Sequence, residues 1–162
     1  MNGFRIETLQ GNDSKECTVL ASLHQFYKGF NRGDIDLLSE NWSQSSAAIM
    51  SNPLGGVLKG WSEIAGLYKK LFTGPLDVHV EFYDIVINQW SNGFLAVGRE
   101  KGSVSLIEGG FIKEALPIEI RTSRFFMFDE KKESFKQLHH HGSIVYPDML
   151  ASYQDLVNLA NN

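Results

Sequence analysis

The hydrophobic period of this chain changes near Gly74-Pro75, and that change limits the folds open to it. Before it, apolar residues recur at helical spacing: Val19, Leu20, Leu23, Phe26, Tyr27 and Phe30, and later Ile64, Leu67, Tyr68, Leu71 and Phe72. After it come long runs rich in Val, Ile and aromatics. Asp77 to Trp90 is followed by Asn92-Gly93, a hairpin signal, and by a return strand from Phe94 to Leu106. Beyond the Glu108-Gly109-Gly110 loop, Ile118–Asp129 and Ser134–Tyr146 read as two more strands, joined by the charged turn Asp129-Glu130-Lys131-Lys132-Glu133. Helices followed by long antiparallel strands predict an α+β fold. Such a sheet must cover its apolar face, and it does so by curling around the early helices, which leaves a central pocket at the open end. An apolar outer face would suit a partner subunit.

Local punctuation refines the plan. Residues 1–12 are polar, with Gly3 and Gly11, and read as a flexible N-terminal tail; residues 13–162 read as a single domain. Asp13 and Glu16 have capping-box spacing before the first helix. Gly33 suits the left-handed end of that helix, and Asp34 the cap of a short second one containing Ile35, Leu37 and Leu38. Ala47–Met50 and Val57–Lys59 are short strand candidates around the turn Asn52-Pro53-Leu54-Gly55-Gly56. Gly60 opens the third helix. After Pro147, Met149, Leu150, Tyr153, Leu156, Val157 and Ala160 suggest a terminal helix.

Several function classes are disfavoured. The net charge is -4 and Lys and Arg form no basic face, so no nucleic acid is expected as partner. Cys17 is the single cysteine, which leaves no intrachain disulfide and no Cys-based zinc site. No apolar stretch is long enough to span a membrane, and the N-terminal MNGFRIETLQ lacks signal-peptide character, so the expected location is the cytoplasm. Gly55-Gly56 lacks the Lys-Ser/Thr that follows a phosphate-cradling loop, and Ser22 and Ser51 have no His-Asp arrangement around them.

The order of elements and five short motifs resemble the nuclear transport factor 2-like, or SnoaL-like, superfamily. The motifs are Phe30-Asn31-Arg32-Gly33-Asp34, Asn52-Pro53-Leu54-Gly55, Lys59-Gly60-Trp61, Arg121-Thr122-Ser123-Arg124 and His139-His140-His141-Gly142-Ser143. The resemblance covers roughly residues 14 to 157 and is nearest to small bacterial YybH-like and SnoaL-like proteins. It implies a cystatin-like cone with a central pocket and a homodimer formed sheet to sheet. It does not imply one activity, because this fold hosts isomerases, cyclases, dehydratases and binding or assembly modules.

Ketosteroid isomerases of that superfamily use a helix tyrosine, an aspartate before a proline and a neutral acid on the penultimate strand. The matching positions here hold Phe26, with Tyr27 beside it, then Asn52 and Arg124. An amide cannot shuttle the proton and Arg124 is a permanent cation, so steroid isomerase chemistry is not expected. The last strands are also similar to the association domain of calcium/calmodulin-dependent protein kinase II, whose pocket carries arginines on neighbouring strands. Arg99 and Arg124 match two of them, and Gly142 falls at the third. This implies a pocket for an organic anion such as a carboxylate. The competing reading pairs Arg99 with a strand acid such as Glu81 or Glu100, and sets Arg124 at a rim.

Alternation along a strand separates the three histidines. His139 and His141 share one face, as a zinc-binding pair or, more simply, as outer-face residues at a dimer contact; no third ligand is evident, and no metal is expected. His140 shares the other face with Leu138 and Gly142 and would sit beside Arg124, where the cation favours its neutral form. Trp42, Trp61, Phe72 and Tyr83 are candidates for the pocket mouth. The leading expectation is therefore a small-molecule-binding protein with ligand contacts from Arg99, Arg124, Asn52, Tyr27, Trp42 and Tyr83. The rivals are a cofactor-free lyase or isomerase with His140 as base and Arg124 stabilising an enolate, and a dimeric assembly module.

Overall fold

The computed structural model describes residues 2–9, 18–146 and 148. In chain order the elements are β1 (Asn2–Thr8), α1 (Val19–Arg32), α2 (Ile35–Asn41), β2 (Ile49–Ser51), β3 (Val57–Lys59), α3 (Gly60–Thr73), β4 (Leu76–Trp90), β5 (Gly93–Glu108), β6 (Phe111–Asp129) and β7 (Ser134–Ile144). One sheet takes the order β1-β4-β5-β6-β7-β2-β3. Every pairing is antiparallel except that of β2 with β7. Strands β4, β5 and β6 run 15, 16 and 19 residues, far beyond the usual five or so, and strands of that length twist and curl. The result is a curled, unclosed sheet around the N-terminal helices, an α+β cystatin-like cone as the sequence predicts.

Local chemistry explains the helices. Thr18 caps α1 by accepting from the Ala21 amide at 3.0 Å, and Gly33 ends it in the left-handed region at φ 64. Asp34 then caps α2 by accepting from Leu37 N at 2.9 Å. The capping-box residues Asp13 and Glu16 lie outside the described residues, as does the terminal helix expected after Pro147. The helices bury Leu23, Phe26 and Tyr27 of α1, Leu38 of α2, and Ile64 and Tyr68 of α3. These pack on Phe82, Ile85, Ile87, Phe94, Ala96 and Phe126 of the concave sheet face.

Three differences from the sequence expectation matter. The N-terminal residues read as a loose tail form β1, paired with β4 from Asn2↔Gln89 to Thr8↔Tyr83. This edge strand gains its hydrogen bonds from β4 rather than from any strong pattern of its own. Strand β6 begins at Phe111, seven residues before the expected Ile118, because β5 offers it a ladder down to Glu108. Finally, the ladders carry one-residue bulges. Leu106 faces Glu114 but Ile107 faces Ile112, which leaves Lys113 extra. Phe125 faces His139 but Phe126 faces Gln137, which leaves Leu138 extra. On β4 the extra residue falls between Tyr83 and Val86, where Asp84 has φ 49.

Candidate functional site

The bulges decide which side chains meet inside the cone. Because side chains alternate, one extra residue moves everything beyond it to the opposite face. Past the bulge at Leu138, β7 turns Gln137 and His140 inward, 0% and 6% exposed, while Leu138 is half-buried. The expectation that Leu138 shares the inner face with His140 is thus corrected: Gln137 takes that place. On β6 the inner residues are Ile120, Thr122, Arg124 and Phe126; on β5 they include Phe94, Ala96 and Glu100.

At the centre these strands and α1 form one polar network. Arg124 is 1% exposed and Glu100 4%. The Arg124 guanidinium donates from Nη2 to Glu100 Oε1 at 2.8 Å, from Nη1 to Gln137 Oε1 at 3.1 Å and from Nε to Tyr27 Oη at 3.0 Å. The Tyr27 hydroxyl donates to the same Glu100 oxygen at 2.6 Å. The guanidinium carbon lies 3.5 Å from the centroid of the Phe26 ring, a cation–π contact. Burial opposes the charge on Arg124, but the neighbouring oxygens of Tyr27 and Glu100 outweigh it and keep the group cationic. Burial, the largest influence, pushes the Tyr27 hydroxyl well above its usual range. The cation predicted for the site is therefore neutralised inside the protein by Glu100.

Hydrogen-bond counting fixes two further groups. The Thr122 hydroxyl donates its one hydrogen to the His141 carbonyl at 3.0 Å. Toward His140 Nε2, also at 3.0 Å, it can only accept. His140 thus carries its proton on Nε2, and its Nδ1 is a bare acceptor with no partner among the described residues. Burial first, and Arg124 second, hold the imidazole pKa well below the ordinary value. Gln137 must turn its oxygen to Arg124, so its buried amide nitrogen also lacks a partner among the described residues.

The open space lies beside this centre. A groove of about 1730 Å³ runs along α1, between β4 and the β6–β7 turn. Tyr27, Trp42, Val80, Phe82 and Phe135 form its inner wall. Lys28, Arg32, Lys101, Lys132 and Lys136 stand around it, against Glu40, Glu81 and Asp129. Lys101 approaches Glu81 at 3.9 Å, and the Lys136 ammonium donates to the Glu40 carbonyl. Neither Arg124 nor His140 is among the lining residues.

The predicted residues consequently divide. Tyr27 and Trp42 reach both the core and the groove; Trp42 is 1% exposed and packs beside Trp61, ring centroids 6.5 Å apart. Arg124 and His140 belong to the interior. Asn52 stands apart, its side chain accepting from Leu54 N at 2.8 Å within its own turn. Arg99 and Tyr83 point to the outer face. There Arg99 meets Asp84 at 3.8 Å and Glu119 at 3.4 Å, and the Tyr83 hydroxyl donates to Glu119 at 2.8 Å. Arg99 and Arg124 do not share a pocket. Arg99 does meet strand acids, but these are Asp84 and Glu119; of the two acids named for it, Glu81 faces Lys101 and Glu100 serves Arg124. Glu100 and Gln137 are the residues that sequence reasoning missed. Their only signal was polarity at alternate positions from buried Phe135 and Ala96, which gives no facing without the bulges.

A family model described as a SnoaL-like domain matches residues 19–147. None of the curated proteins matches the sequence. Among solved structures, a Caulobacter vibrioides protein with a cystatin-like fold is similar at 18% identity, over 86% of this chain and 94% of that one, with TM-score 0.64. A ketosteroid isomerase-like protein from Erwinia carotovora is similar at 14% identity, over 84% and 100%, with TM-score 0.64. The CaMKII hub of S. rosetta is similar at 15% identity, over 78% and 94%, with TM-score 0.63. At these identities the likeness is one of fold.

Proposed function

The chain belongs to the SnoaL-like family, and from that premise we propose that it binds a small organic acid, its apolar body against the groove wall and its carboxylate at the basic rim. The observation that carries this reading is the charge of the groove. Five Lys and Arg side chains stand there against three acids, on a chain whose net charge is -4. Lys28 and Arg32, one turn apart on α1, and Lys132 of the β6–β7 turn are exposed and line the groove. Aromatic and branched side chains beneath them supply the apolar contact that ligand pockets ordinarily use. Arg124, engaged by Glu100, acts beneath the wall by holding Tyr27 in position rather than by meeting the acid itself. The lyase reading, with His140 as base, is less well supported, because His140 and Arg124 are both buried and neither lines the groove.

The test is thermal unfolding with medium-chain carboxylic acids and the matching alcohols. At a hundredfold excess over Kd, a bound acid stabilises by about 2.7 kcal/mol, which for a chain of this size raises Tm by roughly 5–10 °C. The double variant Lys28→Gln/Lys132→Gln is expected to lose most of that shift. Equal shifts with acid and alcohol, or an unchanged shift in the double variant, would refute the acid.

A second reading concerns self-association through the outer sheet face. Val86 and Val97 are paired there and remain 40% and 44% exposed, near the stacked Trp90–Phe125 pair. A homodimer formed on this face would cover them. Light scattering coupled to size exclusion tests it: a monomer at all concentrations rules the dimer out.

A further inference from the structure

We propose a second binding site, for a phosphoryl-type oxyanion, on the outer sheet face around Arg99 and Arg121. The ladder puts these two arginines directly opposite each other on β5 and β6. Like charges in that relation repel and destabilise a sheet unless something negative lies between them. On the β5 side Asp84 and Glu119 supply part of it by approaching Arg99. Arg121 pairs with no carboxylate among the described residues. A cavity of about 470 Å³ opens over this place, and Arg121 and Arg99 both line it.

The surroundings suit an anion with several oxygens. Arg121 faces Ser143 across the β6–β7 ladder, and Ser123, one step along the same face, lies opposite His141. Ser123, His141 and Ser143 also line the cavity. Two hydroxyls, an imidazole and a forked guanidinium thus converge from two strands, and a second guanidinium faces them from a third. This donor set matches phosphate oxygens better than the two oxygens of a carboxylate. The β4 bulge contributes indirectly: it aims Asp84 at both Arg5 and Arg99, which anchors Arg99 at the cavity edge. This site is independent of the groove, and its failure leaves the groove reading untouched.

The experiment is calorimetric titration of the full chain with inorganic phosphate and, separately, with phosphoserine, at constant ionic strength balanced with chloride. The expected result is one saturable site per chain for at least one probe. Arg121→Gln, an exposed change whose thermal unfolding serves as a fold control, is expected to weaken it at least tenfold. Ser143→Ala is expected to weaken it less, and Lys28→Gln/Lys132→Gln not at all. The tighter probe identifies whether a free ion or a phosphorylated group is preferred. Absence of saturable binding by both probes overturns the proposal, as does binding that Arg121→Gln leaves intact. A sheet-face dimer that takes up neither probe overturns it too, with the second copy as the occupant.

Discussion

Glu100→Leu is the substitution that most directly interrogates the interior. Glu100 is 4% exposed, and one of its oxygens accepts both from Arg124 at 2.8 Å and from Tyr27 at 2.6 Å. Without that carboxylate, Arg124 keeps its charge, because an arginine does not deprotonate under accessible conditions. It is 1% exposed, so water cannot readily take the carboxylate's place. Its remaining partners are the neutral oxygens of Tyr27 and Gln137 and the Phe26 ring. Breaking a buried pair from one side costs about 3–5 kcal/mol. That is about a fifth or more of the stability typical of a domain, and corresponds to a Tm lower by roughly 6–20 °C. Removing both charges in Glu100→Leu/Arg124→Met takes away the uncompensated ion, so the double variant is expected to recover more than half of the loss. Urea unfolding of the wild type, both single variants and the double variant gives the coupling energy directly. A loss below about 1 kcal/mol for Glu100→Leu, or a double variant no more stable than the worse single one, would refute a dry, mutually dependent pair.

The remaining predictions concern His140 and the sheet. Burial and Arg124 depress the folded-state pKa of His140 below its ordinary value of 6.5, so the unfolded chain takes up a proton before the native one. Stability from this group is full above pH 6.5 and falls as pH drops below it, by up to about 2 kcal/mol at pH 5. Urea unfolding at pH 7 and pH 5 is expected to show that loss in the wild type and not in His140→Gln; parallel losses would mean that the imidazole titrates normally. At Gly102 an added Cβ would collide with the His79 carbonyl oxygen on the neighbouring strand. Gly102→Ala is therefore expected to destabilise by about 3 kcal/mol or more, since backbone must move, and a melting temperature within 2 °C of wild type would contradict so close an approach of β4 and β5.

Most elements were legible in the sequence because they carried their own local signals. Gly33 and Asp34 ended one helix and began the next, and Asn92-Gly93 marked the β4–β5 turn. Residue facing was not legible. Counting back from the Gly109-Gly110 loop gives one parity for β5 against β6; the extra Lys113 reverses it, so that Ala96, not Leu95 or Val97, faces Arg124. No propensity marks a lysine as the unpaired residue of a bulge. The same difficulty hid Gln137 behind Leu138. Arg99 and Arg124 looked alike as isolated strand arginines, yet three-dimensional register sent one outward to Asp84 and Glu119 and the other inward to Glu100. Strand β1 was missed for a different reason: its pairing is a property of β4's open edge.

The arrangement around Arg124 separates two burdens that many binding proteins place on the same residues. The ion at the centre of the cone is balanced from within, so the fold needs no ligand to be electrically complete. Lys28, Arg32 and Lys132 at the groove sit on exposed side chains of α1 and of the β6–β7 turn, where substitution costs little stability. If the groove binds an acid as proposed, one rim residue could be exchanged for another, and with it the ligand preferred, while the interior that holds the cone together stays as it is.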